Sequence, residues 1–332
     1  MNIRPNRLIP GDPIPTDWGG GSLSSRVAVQ SLWSGYGTIE RWGVSGGDRE
    51  SLIVKEVRPP REPEQPRGWN TAGSHRRKLR SYGIEAAWYG RWARRLPGEC
   101  RVPETLAVGP VDDGWRFVFE DLDAAGFPRR LATVGTVPDR DVDAVLGWLA
   151  EFHAAFLGVA PEGLWPVGTY WHLGTRRDEF DALAVDDPIR RRAEPWDRML
   201  RGCPYQTLVH GDAKVANFCF PESPGGGVAA VDFQYVGGGV GVKDVAYFLG
   251  SCYDERQLCR RADGWLDVYF DRLAAALRRR EVAIEPVVSA WRRLYPVAWA
   301  DFARFLAGWC PGHAKMHGYT AAMVRHAEVI VE

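Results

Sequence analysis

Short apolar runs between glycine-rich turns dominate the first part of the chain, and long stretches of helical period close it. Arg26–Leu32, Thr38–Val44 and Ser51–Val57 are short runs carrying Val, Ile, Leu and Trp between glycine-rich turns, which predicts three strands. Ser34-Gly35-Tyr36-Gly37 separates the first pair and Ser45-Gly46-Gly47-Asp48 the second, as turns. Ile84, Trp88 and Trp92 then recur at helical spacing, predicting a helix from His75 to Leu96 that Pro97-Gly98 ends. Trp115–Leu122 predicts a fourth strand. Val142, Val145, Leu149, Phe152 and Phe156 form the apolar stripe of a helix over 141–157.

The second half alternates less regularly at first. Residues 163–201 are aromatic and charged with no clear period. Thr207-Leu208-Val209 and Val228-Ala229-Ala230-Val231 are short apolar runs, read as buried strands. Helical patterns follow at 244–253, 264–280, 285–309 and 318–331. Residues 1–22 are rich in Pro, Gly and Asp and predict an irregular arm. Pro59–Gly73 predicts an exposed loop.

Composition narrows the function classes. The 332 residues suit about two lobes or domains. Apolar residues make up 45%, enough for a core, and 42 basic residues balance 42 acidic ones. A neutral chain gives no electrostatic case for nucleic acid or an anionic membrane. The start has no apolar signal region, and no apolar run reaches about 18 residues, so no membrane span and a cytoplasmic location are expected. The six cysteines form no C-x-x-C and are read as free buried thiols. Lysine is scarce beside arginine: Lys55, Lys78, Lys214, Lys243 and Lys315 are the full set. A rotatable ammonium differs from a planar guanidinium, so these positions attract notice.

The candidate chemistry lies between the two short apolar runs. His210-Gly211-Asp212-Ala213-Lys214-Val215-Ala216-Asn217 is followed, fifteen residues after Asn217, by the aspartate of Asp232-Phe233-Gln234. Two carboxylates, an amide and an ammonium on neighbouring turns are what phosphoryl transfer from ATP requires. Asp212 is the candidate base and Lys214 the cation that offsets charge on the moving group. Asn217 and Asp232 are candidate ligands for Mg²⁺, which takes a few protein oxygens and leaves the rest to phosphates and water. His210 is expected to brace the loop and Asp244 to cap its backbone. His153 is read as a hydrogen-bonded core residue.

The D-x-K-x-x-N spacing resembles the catalytic loop of protein kinases. The H-G-D opening and the D-F-Q motif are more similar to the aminoglycoside phosphotransferase and choline kinase superfamily. Within it, Val231–Gly239 and Lys243–Leu249 resemble the ecdysteroid-kinase-like group most closely. This resemblance implies an α+β, bilobal protein-kinase-like fold, with a small β-rich N-lobe over 23–121 and a larger, mainly helical C-lobe over 122–332. It implies ATP between the lobes, Gly35, Tyr36 and Gly37 near its phosphates, and Lys55 paired with Glu85. It also implies a hinge at Glu120 and Leu122 that reads adenine. Asp244 follows Asp232 by only twelve positions, too few for the long activation segment of a protein kinase.

The expected activity is therefore ATP- and Mg²⁺-dependent phosphorylation of a hydroxyl on a small molecule. The alternatives are an antibiotic-modifying phosphotransferase of the aminoglycoside or macrolide type, and a non-catalytic nucleotide-binding module. Residues 251–332 hold 12 basic and 10 acidic residues, so the acidic surplus that a polycationic aminoglycoside wants is missing. The candidate acceptor residues are Trp299, Asp301, Phe302 and Trp309, with Phe305 on the same helical face and Tyr170 and Trp171 as further possibilities.

Overall fold

The structure, a computed structural model, describes residues 8–60, 72–223 and 227–331. Residues 1–7 of the expected arm and most of the expected Pro-rich loop, 61–71, lie outside these. The chain divides into two compact units. One comprises residues 1–95 and 102–129, and the other residues 96–101 and 130–332.

The first unit is a five-stranded antiparallel sheet, in the order β1-β2-β3-β5-β4, with one helix. The strands are β1 (Ser22–Ser31), β2 (Gly37–Ser45), β3 (Ser51–Val57), β4 (Thr105–Val111) and β5 (Gly114–Glu120). Period-two alternation in β3 sends Leu52 and Val54 to one face, where they pack with Trp42, Trp18 and Val118. Full burial of a side chain as large as Trp42 contributes on the order of 3 kcal/mol. Lys55 goes to the opposite face. The edge strand β4 escapes the sequence reading because Gly109 and Pro110 interrupt its pattern; an edge position tolerates a proline.

Helix α1 (Ala72–Ala87) runs on through a π-turn at Trp88–Trp92 and a 3₁₀ turn at Ala93–Arg95, close to the length expected. Ile84, Trp88 and Trp92 are buried, as the helical spacing predicts. Gly37 is obligatory where β2 pairs with β3. Its φ is +137°, and a Cβ there would sit 1.9 Å from the Glu56 carbonyl oxygen.

The chain passes to the second unit at the short strand β6 (Arg129–Arg130). Helix α2 (Asp139–Ala155) follows and buries Val142, Val145, Leu149 and Phe152. Helices α3 (Arg177–Asp181) and α4 (Pro188–Gly202) occupy the stretch that lacked a clear period. The start of α4 has its signal in Asp187-Pro188: the Asp187 carboxylate accepts from the amides of Ile189 and Arg190, and Pro188 takes the first turn. Only Ala193, Trp196 and Leu200 of α4 are buried, a stripe too narrow to stand out among its arginines.

The remaining strands are short: β7 (Thr207–Val209), β8 (Phe218–Phe220), β9 (Ala229–Ala230) and β10 (Gly237–Gly239). β7 pairs with β10 and β8 with β9, both antiparallel. Four helices complete the unit: α5 (Val242–Cys252), α6 (Glu255–Arg278), α7 (Ile284–Trp309) and α8 (Gly318–Val331). α6 begins nine residues before the expected 264, because Asp254 and Gln257 form a capping box. No described helix is long and apolar enough to cross a membrane. The cysteines are free. Cys100, Cys203, Cys219 and Cys252 are buried as expected, but Cys259 is exposed and Cys310 half-buried.

Candidate active site

The H-G-D octet sits where β7 ends. Thr207, Leu208 and Val209 are fully enclosed, so the strand delivers His210 and the following loop from a rigid base. Gly211 has φ +81°, and a Cβ would lie 2.0 Å from the Tyr235 carbonyl oxygen. Only glycine makes this turn. Asp244, early in α5, holds the loop from behind. Its carboxylate accepts from the His210 amide at 2.6 Å and the Gly211 amide at 3.0 Å. His153 of α2 contacts the same carboxylate at 3.1 Å and reaches the Tyr269 hydroxyl at 2.9 Å through its other nitrogen. The His210 ring braces the loop at both nitrogens. The Asp212 amide donates to Nδ1 at 3.3 Å, so Nε2 carries the proton and donates to the Val231 carbonyl at 3.0 Å. Burial lowers the His210 pKa against the pull of Asp244, Asp212 and Asp232, which favours this neutral form.

The two oxygens of Asp212 have different environments. Oδ2 accepts from Lys214 Nζ at 3.0 Å and from Asn217 Nδ2 at 3.1 Å. Oδ1 is buried and accepts no hydrogen bond from the described residues. The residue as a whole is 7% exposed. Lys214 is pushed up by the Asp212 charge, with burial opposing, and so stays an ammonium.

Asn217 spends its amide hydrogens on Asp212: Nδ2 donates to the backbone oxygen at 2.8 Å as well as to Oδ2. Its side-chain oxygen therefore faces away from Asp212. The Val231 amide donates to the Asn217 carbonyl at 2.9 Å, which brings the D-F-Q turn against the loop. Asp232 follows with φ +67°, left-handed for a non-glycine residue, the kind of strain that clusters at functional sites. Among the described residues no group of three or more His, Cys, Asp or Glu could hold a metal. One amide oxygen and one carboxylate nevertheless fit a magnesium ion that takes its other oxygens from phosphates and water.

In the β-rich unit, β3 and α1 bring Lys55 to Glu85, with Nζ 2.8 and 2.7 Å from the two carboxylate oxygens. Both side chains are buried, and the Lys55 ammonium lies 5.6 Å from the ring centres of Tyr82 and Phe117. Gly35, at φ +73°, has open space where a Cβ would be. The Tyr36 side chain turns inward instead: it is fully buried, and its hydroxyl lies 2.6 Å from His75 Nδ1. The Glu120 amide donates to Glu104 O at 3.1 Å, and the Leu122 carbonyl accepts from Phe127 at 2.8 Å. Between them, Asp121 holds Arg41 and Ser51.

The α7 candidates fare differently. Asp301 is 2% exposed and lies 3.2 Å from Lys243 Nζ and 2.8 Å from the Arg304 guanidinium. Burial raises its pKa, but the two cations outweigh burial and bring it down to about 2. The Trp299 indole donates to Thr320 at 3.0 Å. Both residues thus serve the helical packing. Phe302 instead meets Trp171 and Tyr247, and Trp309 stacks on Phe305. Asp301→Ala is expected to lower stability by about 3–5 kcal/mol by leaving Lys243 and Arg304 buried without their carboxylate. Because the folded pKa is depressed below the ordinary aspartate value of 3.8, the wild-type contribution is complete above about pH 4 and is lost as pH falls through about 2. Chemical denaturation of both proteins across this range checks it.

Three side chains in the helical unit escaped or were underweighted in the sequence reading. The Tyr170 hydroxyl donates to the Tyr247 hydroxyl at 3.2 Å. Burial raises both phenols, and the Asp212 charge adds to the rise. Lys315 lies with its ammonium 5.0 Å from the Tyr247 ring centre and 5.5 Å from that of Phe302. Burial lowers it to about 8, with Asp212 opposing and Lys214 adding to the fall. Its scarcity as a lysine was the only sequence signal for Lys315.

Residues 191–282 match the ecdysteroid kinase-like family, and this segment carries both the H-G-D octet and the D-F-Q motif. No curated protein sequence matches the chain. A candidate aminoglycoside phosphotransferase from Ralstonia eutropha superposes with a TM-score of 0.52 at 12% identity, over 94% of this chain and 91% of its own. That likeness shows the fold. An ethanolamine kinase from Plasmodium vivax gives a TM-score of 0.48 at 11% identity, over 92% of this chain and 80% of its own. A thermostable mutant of an aminoglycoside phosphotransferase, in a ternary complex with ADP and hygromycin B, gives 0.47 at 14%, over 93% and 94%. The resemblance read from the motifs and the α+β, protein-kinase-like fold class are both borne out.

Proposed function

We propose that this protein is an ATP- and magnesium-dependent phosphotransferase that moves the γ-phosphoryl group onto a hydroxyl of a small molecule. The carrying observation is the asymmetry of Asp212. One oxygen is tied to Lys214 and Asn217, while the other is buried and accepts no hydrogen bond from the described residues. A buried carboxylate oxygen without a donor costs free energy unless a ligand supplies one. An acceptor hydroxyl is such a donor. As its oxygen bonds to the γ-phosphorus and the bond to ADP breaks, its proton passes to Asp212 Oδ1. Positioning matters more than basicity, because the transition state of phosphoryl transfer is loose.

The other roles follow from the chemistry of each group. Lys214 offsets charge on the transferring oxygens. Asn217 and Asp232 would hold Mg²⁺, which when bound neutralises phosphate charge. Lys55, oriented by Glu85, would contact the α- and β-phosphates, with the backbone of Gly35 and Gly37 nearby. The Glu120 carbonyl and the Leu122 amide would read the adenine edge. His210 and Asp244 position the loop without touching substrate.

The test is a library of hydroxyl compounds incubated with protein, ATP and magnesium and read by mass spectrometry as a gain of one phosphate. Nucleotide binding without transfer to any compound would identify a non-catalytic module instead. Asp232→Ala is expected to weaken magnesium-dependent ATP binding by about tenfold or more, read by calorimetry with and without the metal. Unchanged affinity would remove Asp232 from the metal site.

A further inference from the structure

An aromatic cluster of the helical unit, whose Tyr170 and Tyr247 feel the Asp212 charge, already carries protein cations on its rings. Tyr170, Trp171, Tyr247 and Phe302 are in mutual contact, with Tyr170 edge-on to Phe305. Lys315 lies over Tyr247 and Phe302, Lys243 lies 5.9 Å from the Trp171 centre, and Arg176 lies over Tyr170 and Phe305. An aromatic face attracts one cation through its quadrupole, and a second cation brought to the same place meets the charge of the first. The neighbouring acids are also engaged. Asp301 faces Lys243 and Arg304, and Glu179 pairs with Arg176 at 3.0 Å. Among the described residues of this cluster, a cationic acceptor would therefore find the aromatic faces occupied and the adjoining carboxylates of Asp301 and Glu179 already facing cations of the protein.

Lys315 differs from the other cations in this group. Lys243 and Arg304 are sealed inside the fold, whereas Lys315 is half-buried. The Thr320 hydroxyl donates to the Lys315 carbonyl at 2.6 Å and fixes the backbone from which the side chain extends. Its charge interacts with both Asp212 and Lys214.

We propose that Lys315 determines acceptor specificity: its ammonium, held over Tyr247 and Phe302, bars cationic acceptors from Asp212 and donates to an oxygen of hydroxyl compounds that bear no positive charge. This rests on the phosphotransferase reading above and narrows its substrates. The device is exclusion as much as attraction, since discrimination is a difference between two affinities.

The experiment compares matched pairs within the acceptor library. Choline is paired with its uncharged isostere 3,3-dimethylbutan-1-ol, and an aminoglycoside with an uncharged oligosaccharide of similar size. Across the library, wild type is expected to favour uncharged acceptors by about tenfold or more in kcat/KM. Lys315→Met should lower kcat/KM for the best uncharged acceptor by about tenfold and shrink the gap to the cationic compounds, with the KM for ATP unchanged. Lys315→Arg, which keeps the charge, should retain the discrimination. Phosphorylation of cationic acceptors by wild type as efficiently as uncharged ones overturns the inference and leaves the phosphotransferase reading standing. So does a Lys315→Met protein that keeps the wild-type preference. If Lys315→Met does not fold, the wild-type comparison still decides. No phosphate gain on any compound overturns the parent reading, and this inference falls with it.

Discussion

Asp212→Asn should lower kcat by about 10³–10⁴-fold while leaving ATP affinity within about twofold of wild type. The replacement keeps the shape of the side chain and presents an amide where the carboxylate stood. An amide accepts no proton from a hydroxyl under these conditions, so the group at the Oδ1 position loses its chemistry. Loss of the negative charge also releases Lys214, whose ammonium the Asp212 charge holds protonated. The nucleotide should notice little, because the proposed phosphate and metal contacts belong to Lys55, Asn217 and Asp232. Steady-state kinetics with an identified acceptor, alongside calorimetry with ATP and magnesium, measure the two quantities separately. If nucleotide affinity falls in step with turnover, Asp212 serves the nucleotide and the assignment of roles is wrong.

Asp244→Ala is expected to cost about 3–5 kcal/mol of stability and to remove activity even where the protein remains folded. The carboxylate has 0% exposure and serves three partners at once: the His210 amide, the Gly211 amide and the His153 ring. Alanine leaves two buried backbone donors unsatisfied at the turn that carries Asp212. The melting temperature should fall by on the order of 10 °C. Asp244→Asn keeps an acceptor oxygen and should lose less of both properties. A melting temperature unchanged in Asp244→Ala would show that the loop is held by β7 and Gly211 alone.

The legibility of this chain followed how local each signal was. The octet around Asp212 and the turn at Asp232 stood out as candidates because their polar groups are packed into a few consecutive residues. Lys55 and Glu85 were readable once a strand and a helix had been recognised from their periods, and the two side chains meet as an ion pair. The support from Asp244 was also readable, as a carboxylate early in a helix near the loop. Asp301 misled because an acid within an aromatic run looks like a binding group. Its partners are Lys243, 58 positions earlier in the chain, and Arg304, and the pairing with Lys243 is invisible to any periodicity. The Tyr36 side chain is taken up by helix α1, against His75 and Tyr82, a contact that the glycines on either side of it did not signal.

The scarcity of lysine carried more information than any single position did. All five lysines have specific surroundings: Lys55 has Glu85, Lys214 has Asp212, Lys243 has Asp301, and Lys78 and Lys315 lie over tyrosine rings. Composition flagged them, but only the fold could say what each one meets. The same holds for α4 and β4, whose local patterns are weak and whose structure depends on neighbours far along the chain.

Strand β10 consists of three glycines, and each is hemmed in. A Cβ at Gly237 would lie 2.2 Å from the Trp165 carbonyl oxygen, one at Gly238 2.7 Å from that of Pro166, and one at Gly239 3.1 Å from Val209. Together with Gly211 and Gly241, these positions leave the ground between Asp212 and α5 almost no room for new side chains. Under the proposed function, divergence toward new acceptors would therefore be channelled away from β7 and β10 and into α7, the α7–α8 turn and the stretch from 163 to 201. A laboratory evolution campaign on this scaffold should see its beneficial substitutions accumulate there, while the glycine strand stays untouched under the same selection.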